Sequence, residues 1–193
     1  MSKFCFYHGN DLRVIDRLRR AAIFCWGNIE EAALDSFHLF VSADDFASFC
    51  CRTESSIGVI SGYAKNQRST ESGPGLTQFF AEINDRDWPL GDEWTGSFAA
   101  AAYSSNNSES TLCNDLIGHY PIYYARAGGG LIGGTSLIAV GRTLDCEVDA
   151  IGVLQRITVP FCNYGRRTLL EKVYRLLPGE RLRWKSDSAG VRR

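Results

Sequence analysis

Side chains with reactive or metal-binding chemistry are spread thinly along this sequence. The three histidines, His8, His38 and His119, are isolated from one another, and His38 lies within an apolar run typical of a strand. Cys5 and His8 could contact one metal ion together, but two ligands do not complete a site, since a tetrahedral centre needs four. We therefore predict no metal site and no cofactor.

A glycine-rich run at residues 128–136 resembles two phosphate-binding patterns. Gly128 to Gly133 fits G-x-G-x-x-G, but no strand-helix-strand unit surrounds it, and the acidic residue expected about 20 positions later is not clearly supplied. The segment 133–136 lacks the lysine of a phosphate-binding loop. A hairpin turn between two antiparallel strands explains the run better, and we predict no nucleotide site.

The elements that would position these residues are mostly strands. Apolar and aromatic runs bounded by turn residues predict strands at 3–7, 37–41, 46–51, 57–63, 94–103 and 110–116. From Leu112 through Tyr123 and Leu131 the pattern predicts a β-meander. A polar stretch with glycine and proline, residues 65–75, predicts a surface loop.

Four segments show helical signals. Asp11 is expected to cap a helix with apolar positions at Leu12, Ile15, Leu18 and Ala22. Residues 76–83 form a second candidate, and residues 136–140 a third that Gly141 ends. Asp149 is expected to cap a fourth, which runs through Ile151, Val153, Leu154 and Ile157 and stops at Pro160. The pattern as a whole predicts an α+β fold with helices covering sheets.

Composition limits the classes of partner. A chain of 193 residues with 45% hydrophobic and 22% charged residues fits one core, so we predict one domain at 1–185 and a basic tail at 186–193. A net charge of −1, with both signs mixed along the chain, predicts neither nucleic acid nor membrane as a partner.

Location and redox state follow from two further features. The sequence has no long apolar run and no apolar leader with a cleavage site, which predicts a cytoplasmic protein. Its seven cysteines lack the spacing of a zinc site or the density of a disulfide scaffold, which predicts reduced thiols, mostly in the core.

The region from Thr111 to Ser136 also resembles a known family. Its Asn114-Asp115, the turn at Gly118 and the run 121–124 resemble the amino-terminal glutaminase-type domain of asparagine synthetases, the class II glutamine amidotransferases, in which Arg-Asp leads through a glycine turn into Pro-Leu-Tyr-Tyr. Asn114 replaces that arginine. The resemblance extends upstream to 96–99 and downstream to 167–171 and 177–182, and it implies a four-layer αββα sandwich of antiparallel sheets, as in N-terminal-nucleophile hydrolases.

The same resemblance indicates a degenerate site. Family members use an N-terminal cysteine as nucleophile and its amine as base, whereas Ser2 follows the initiator methionine here. The family's Asn-Gly-Glu segment, which helps bind glutamine and stabilise the oxyanion, matches Ser61-Gly62-Tyr63. We therefore expect no catalytic residue, and degenerate substrate-binding positions at Ser61, Gly62, Asn114 and Asp115. The alternative is an active amidohydrolase that uses Ser2, or Cys5 after cleavage behind Phe4.

The resemblance also suggests a biological system. β-Lactam synthetases and lasso-peptide cyclases resemble asparagine synthetases whose amino-terminal domain lacks the cysteine, and this chain resembles that subset. We expect a structural or docking module for an ATP-binding synthetase domain or subunit, absent from this chain, or a homo-oligomer. Helical spacing from Leu169 predicts that Val173, Leu176 and Leu177 form the docking face. Alternatively, this face packs on the domain's own sheet.

Overall fold

A computed structural model describes residues 3–66, 76–85, 94–159, 165–185 and 188–192. These residues form twelve strands, namely β1 Phe4–His8, β2 Ile29–Leu34, β3 Phe37–Ser42, β4 Ser48–Arg52, β5 Ser56–Asn66, β6 Trp94–Ser104, β7 Glu109–Asn114, β8 Tyr123–Ala127, β9 Gly130–Gly134, β10 Tyr174–Arg175, β11 Arg181–Lys185 and β12 Ser188–Arg192. They also form four helices, α1 Leu12–Trp26, α2 Leu76–Asp85, α3 Leu137–Leu144 and α4 Ala150–Thr158.

The strands make two antiparallel six-stranded sheets. The first has the order β10-β8-β9-β1-β3-β2 and the second β12-β11-β7-β6-β5-β4. Alternate residues of each strand point to opposite faces, and both faces of each sheet carry large apolar side chains. Each sheet must therefore be covered on both sides.

Three apolar clusters provide this cover. The inner faces of the two sheets pack together through Phe4 and Phe6 on one side and Val59 and Leu112 on the other. Helices α1 and α3 cover the outer face of the first sheet, and α2 covers that of the second. In the α2 cluster, Phe79 makes edge-on contacts with Trp94 and Phe98 at centroid distances of 5.0 and 5.3 Å. The layers are α, β, β and α, so the predicted four-layer α+β sandwich is confirmed.

Strand β1 lies at the centre of the first sheet, between β3 and β9. Its five residues are all buried. Gly133 of β9 leaves room for an aromatic ring, since a Cβ added there would lie 2.8 Å from Cε1 of Phe6. The glycine at this position is therefore required by packing.

The glycine-rich run is a hairpin, as predicted. Ala127 pairs with Gly130, and Gly128 and Gly129 between them have φ values of 52° and 75°. A two-residue turn with positive φ at both positions matches the right-handed twist of the flanking strands. The glycine-rich run therefore forms the turn that connects β8 to β9.

Several predicted elements differ in detail. Strand β2 was not predicted from the sequence, because its Ile-Glu-Glu-Ala-Ala-Leu lacks a clear alternation. Helix α3 continues through Gly141, which is buried against Leu170, and ends at Leu144, with Asp145 in the left-handed conformation as its C-cap. The predicted meander divides between the sheets, since β7 belongs to the second sheet and β8 and β9 to the first. Leu12 and, in α4, Ile151, Leu154 and Ile157 are exposed and not on a buried face.

The C-terminal part also needs correction. Residues 188–192, predicted to lie in a tail, form strand β12 and pair with β11. Residues 169–177 contain the short strand β10 and no helix, so the helical face predicted there is wrong. Val173 and Leu176 are buried in the chain's own core, and Leu177 is only half-buried. Most of the predicted loop, 67–75, and Pro160 lie outside the described residues.

The thiols are less buried than predicted. Six cysteines lie in the described ranges and none of these is in a disulfide. Cys5 and Cys113 are buried, Cys25, Cys51 and Cys146 are partly exposed, and Cys50 is exposed. Cys162 lies outside the described residues. Within the described ranges, no helix has both the length and the apolar character needed to cross a membrane.

Candidate functional site

A cleft of about 720 Å³ opens at the end of the sandwich where β1 begins. We call it the N-terminal cleft. It lies between the end of α1, the start of α3 and the segment that leads into β8. Its described lining residues are Lys3, Phe24, Cys25, Trp26, His119, Tyr120, Pro121, Tyr123, Thr135, Ser136, Leu137 and Ile138.

A polar cluster borders the cleft at Lys3. The backbone N–H of Lys3 donates to Oδ2 of Asp45 at 2.8 Å, and the hydroxyl of Ser48 donates to the same oxygen at 2.7 Å. Ser48 also hydrogen-bonds Ser61, its direct partner across β4 and β5. The carboxylate of Asp45 thus holds the chain entering β1 and orients the two hydroxyls.

Gly62 lies next to this cluster and is closely approached from β6. Its φ is 96°, and a Cβ added there would lie 2.1 Å from the carbonyl oxygen of Ser97 and 2.9 Å from Cε2 of Tyr120. The hydroxyl of Ser97 hydrogen-bonds Nδ1 of His119 at 2.6 Å. Glycine is therefore required here for close backbone packing, which brings Ser97, His119 and Tyr120 to one edge of the cleft.

Asp115 builds the turn that delivers His119. Its Oδ1 accepts from the N–H groups of Ile117 and Gly118 at 2.9 and 2.8 Å. Its Oδ2 accepts from Phe98 at 3.1 Å and from His119 at 3.2 Å. Four backbone donors surround a buried carboxylate, whose hydrogen-bonding capacity is consequently used within the protein.

Asn114, at the position of the family arginine, points between the sheets. It is buried, and its side-chain amide donates to the carbonyl oxygen of Leu176 at 3.5 Å. Its carboxamide oxygen has no hydrogen-bond partner within the described residues. Asn114 therefore lies behind the cleft and not on its surface.

Neither described thiol near the cleft is suited to nucleophilic attack. Cys25 lines the cleft, but burial raises the pKa of its thiol, and the opposing contributions of Ser136 and Arg142 are smaller. Cys5 is fully buried near the start of β1, and burial raises the pKa of its thiol well above the ordinary value. Both thiols are protonated at neutral pH, and the thiolate is the reactive form. Ser2, the other candidate nucleophile, lies outside the described residues.

A second polar cluster lies at the opposite end of the sandwich, where β1 finishes. Nδ1 of His8 and the hydroxyl of Ser110 are 2.9 Å apart, and both residues are buried. The imidazole contacts the ring of Tyr103 edge-on at 5.1 Å, and the Tyr103 hydroxyl donates to Asp35 at 3.1 Å. Burial lowers the pKa of His8 to about 4, so the imidazole is neutral at physiological pH.

Comparison with known proteins identifies the family of this chain. Residues 89–193, just over half of it, match the family model of a glutamine amidotransferase domain. The chain belongs to the glutamine amidotransferase family. No curated protein sequence matches it.

Solved structures support the fold of this amidotransferase domain. One is the glutamine phosphoribosylpyrophosphate amidotransferase from B. subtilis complexed with ADP and GMP, with a TM-score of 0.52, 10% identity, and coverage of 98% of this chain and 49% of that protein. Another is described as the allosteric regulatory enzyme of purine biosynthesis, with a TM-score of 0.53, 9% identity, and coverage of 98% and 48%. This chain thus spans about half the length of either protein. At such identities the likeness concerns the fold alone.

The predicted positions of this amidotransferase domain fall into two groups. Ser61, Gly62 and Asp115 support the cleft from behind its surface. Ser61 is linked to Lys3 through Ser48 and Asp45, Gly62 lies against Tyr120, and Asp115 holds His119. Asn114 is buried behind the cleft, and its side-chain amide donates to Leu176. Asp45, Ser48 and His119 were not predicted as site residues, because hydrogen bonds between separate segments bring them there and no sequence spacing reveals them. Within the described ranges, no three His, Cys, Asp or Glu side chains are grouped to hold a metal.

Proposed function

We propose that this glutamine amidotransferase domain does not hydrolyse glutamine, and serves as a structural or docking module in an asparagine-synthetase-like, amide-forming system. The supporting observation is that the side chains of Ser61 and Asp115, two of the degenerate positions, are bound by the protein itself. The hydroxyl of Ser61 is buried and bonded to Ser48, and both oxygens of Asp115 are surrounded by backbone donors. Tyr63, at the family's glutamate position, is 67% exposed.

Such a site lacks the means to stabilise a transition state. Loss of a single oxyanion-hole donor lowers kcat by about 100- to 1,000-fold, and the family's asparagine donor is replaced here by the short side chain of Ser61. The buried and protonated Cys5 offers no replacement nucleophile. The similarity to β-lactam synthetases and lasso-peptide cyclases, whose domain also lacks the cysteine, supports the same assignment.

Glutamine hydrolysis is the direct test. Purified protein, with Met1 present or removed, is expected to release no ammonia from glutamine above background. Ser2→Cys is expected to remain inactive, because the thiol alone does not restore the oxyanion donor. Hydrolysis by the natural sequence that is lost in Ser2→Ala or Cys5→Ala, but kept in the surface control Cys50→Ala, would establish the alternative, an active amidohydrolase.

The docking surface that we propose lies around the cleft. Val173 and Leu176 are core residues and cannot form a docking surface. We assign the docking surface instead to exposed apolar side chains next to the site residues in sequence. Phe46 follows Asp45 and is 95% exposed, while Leu116 and Ile117 follow Asp115 and are 65% and 71% exposed. Large apolar side chains left exposed near one site are typical of a surface that a partner covers. The partner that we propose is a synthetase-type ATP-binding domain or subunit.

Solution mass, measured alone and with a synthetase subunit encoded beside this chain, tests the docking proposal. Ile117→Asp is expected to abolish the complex without unfolding the domain, whereas Ile157→Asp, an equally exposed position on α4, is expected to leave it intact. A homodimer that Ile117→Asp dissociates would identify a second copy as the partner. A monomer that binds no synthetase would contradict docking.

A further inference from the structure

A second cavity, of about 460 Å³, lies between the edges of the two sheets. Tyr124, Arg126 and Tyr174 line it from β8 and β10, and Leu182 and Trp184 line it from β11. We call it the lateral cavity. It shares no described lining residue with the N-terminal cleft, and its volume is within the usual range for small-molecule sites.

Aromatic rings form the walls of the lateral cavity. The rings of Tyr124 and Tyr174 are 5.9 Å apart on one side, and Trp184 lies on the other. The floor includes the buried side chains of Leu131 and Leu182. Faces of this kind favour a flat ring, which can stack on aromatic walls with little loss of conformational freedom.

The charged side chains described in the lining of the lateral cavity are all positive. Arg126 and Lys172 belong to its lining, and no acidic residue does among those described. The Arg126 guanidinium carbon lies 5.3 Å from the centre of the Trp184 ring, so the positive charge is held beside the aromatic wall. Neither cation forms an ion pair with the carboxylates of the described residues within 4.0 Å. An anionic group would therefore be favoured at this mouth.

From these observations we propose that the lateral cavity binds a small planar aromatic acid. The ring lies between the tyrosines and Trp184, and its carboxylate or phosphate lies against Arg126 and Lys172. This site is separate from the degenerate glutaminase site, and the proposal does not depend on whether glutamine is hydrolysed.

Three probes that differ in charge and ring test the assignment. Titration calorimetry is done with indole-3-acetate, with tryptamine, which has the same ring and a positive charge, and with acetate, which has no ring. Indole-3-acetate is expected to bind at least about tenfold more tightly than either of the others, since a charge-assisted contact and ring stacking each contribute. Phenyl phosphate, titrated in parallel, distinguishes a phosphate from a carboxylate site.

Variants locate the binding. Arg126→Gln and Tyr174→Ala are each expected to weaken the better anionic probe about fivefold or more. Arg142→Gln is the matched control, because its guanidinium carbon lies 3.9 Å from the Phe24 ring centre, away from this cavity. Circular dichroism verifies that each variant is folded. Binding of neither anionic probe, equal binding of tryptamine, or equal weakening by Arg142→Gln would overturn the proposal.

Discussion

Each end of the sandwich has a serine hydroxyl hydrogen-bonded to another polar side chain, but one end lies beside an open cleft and the other is closed. Where β1 begins, Ser48 donates to the carboxylate of Asp45 and hydrogen-bonds Ser61, and Asp45 in turn holds Lys3 at an open cleft. Where β1 ends, Ser110 meets His8 in the closed core. Judged by residue type alone, the serine and histidine would be the more promising catalytic pair. Access to solvent, and not side-chain chemistry, separates a possible binding site from a structural contact.

The difference in solvent access also changes how much the loss of a hydrogen bond costs at each end. The hydroxyl of the partly exposed Ser48 at the open end can exchange a protein partner for water, so its loss costs less. At the closed end no water replaces a lost partner, and an unpaired polar group carries its full desolvation cost. Mutations of matched chemistry at the two ends should therefore differ in their effect on the free energy of unfolding.

The largest expected effect is at Asp115. Asp115→Ala removes the acceptor for four backbone N–H groups, and we expect the free energy of unfolding to fall by about 4 kcal/mol in urea denaturation. Asp115→Asn keeps one acceptor oxygen and should cost about half as much. A loss below about 1 kcal/mol for Asp115→Ala would mean that the turn at the cleft is held by other contacts.

A smaller effect, dependent on pH, is expected at His8. The pKa of His8 is about 4 in the folded protein, below the ordinary 6.5 of an unfolded chain. Above pH 6.5 both states are neutral, and the stability contributed by the neutral imidazole is fully present. As the pH falls from 6.5 to 4, the unfolded state binds a proton that the folded state excludes, so the free energy of unfolding falls by up to about 3 kcal/mol.

His8→Gln isolates that contribution. Carboxylates also titrate toward the lower end of this range, so the relevant quantity is the difference between the two proteins in urea denaturation series from pH 7 to pH 4. The variant should lose the part of the slope between pH 6.5 and 5. Identical slopes would show that the closed end admits a charged imidazole.

The smallest expected effect compares two serines directly. Ser48→Ala at the open end, where water can reach Asp45 but the buried Ser61 hydroxyl loses its partner, should lower the free energy of unfolding by about 1 kcal/mol. Ser110→Ala, which leaves Nδ1 of His8 without its partner in the closed core, should lower it by about 2 kcal/mol. Thermal unfolding of both variants at pH 7 measures the ratio. Equal losses would remove the proposed distinction between the ends.

The layer arrangement could be predicted because its signals are local. The caps Asp11 and Asp149 each accept from the helix that follows, and the glycine pair 128–129 forms the predicted turn. The assignment of β7 and β8 to different sheets could not be inferred from local pattern, because both are short apolar runs. The helical spacing around Val173 was misleading, since buried residues of an irregular segment can recur by chance at three- and four-residue intervals.

The candidate site was only partly predictable. Ser61, Gly62 and Asp115 were identified through family resemblance, which fixes the order of motifs along the chain. The same resemblance gives no account of Asp45 and Ser48, whose bonds to Lys3 and Ser61 depend on the pairing of β4 with β5 and on the turn before β4. Sequence identifies which family positions have changed, and the fold identifies which groups now occupy them.

The glycines of β9 have a consequence for how the chain is threaded through the sheet. Gly133 receives the ring of Phe6, and Gly130 lies against Tyr7, where an added Cβ would be 2.8 Å from Cε2 of that ring. A shift of β1 by one residue would turn every side chain to the opposite face, and in one direction it would set Phe6 opposite Ile132 and Tyr7 opposite Leu131. The aromatic rings of β1, packed against the glycines of β9, thus fix the register of β1 in the sheet. The register of β1 in turn places Lys3, which precedes the strand, beside Asp45. The glycines that determine this register pair with residues further along β1.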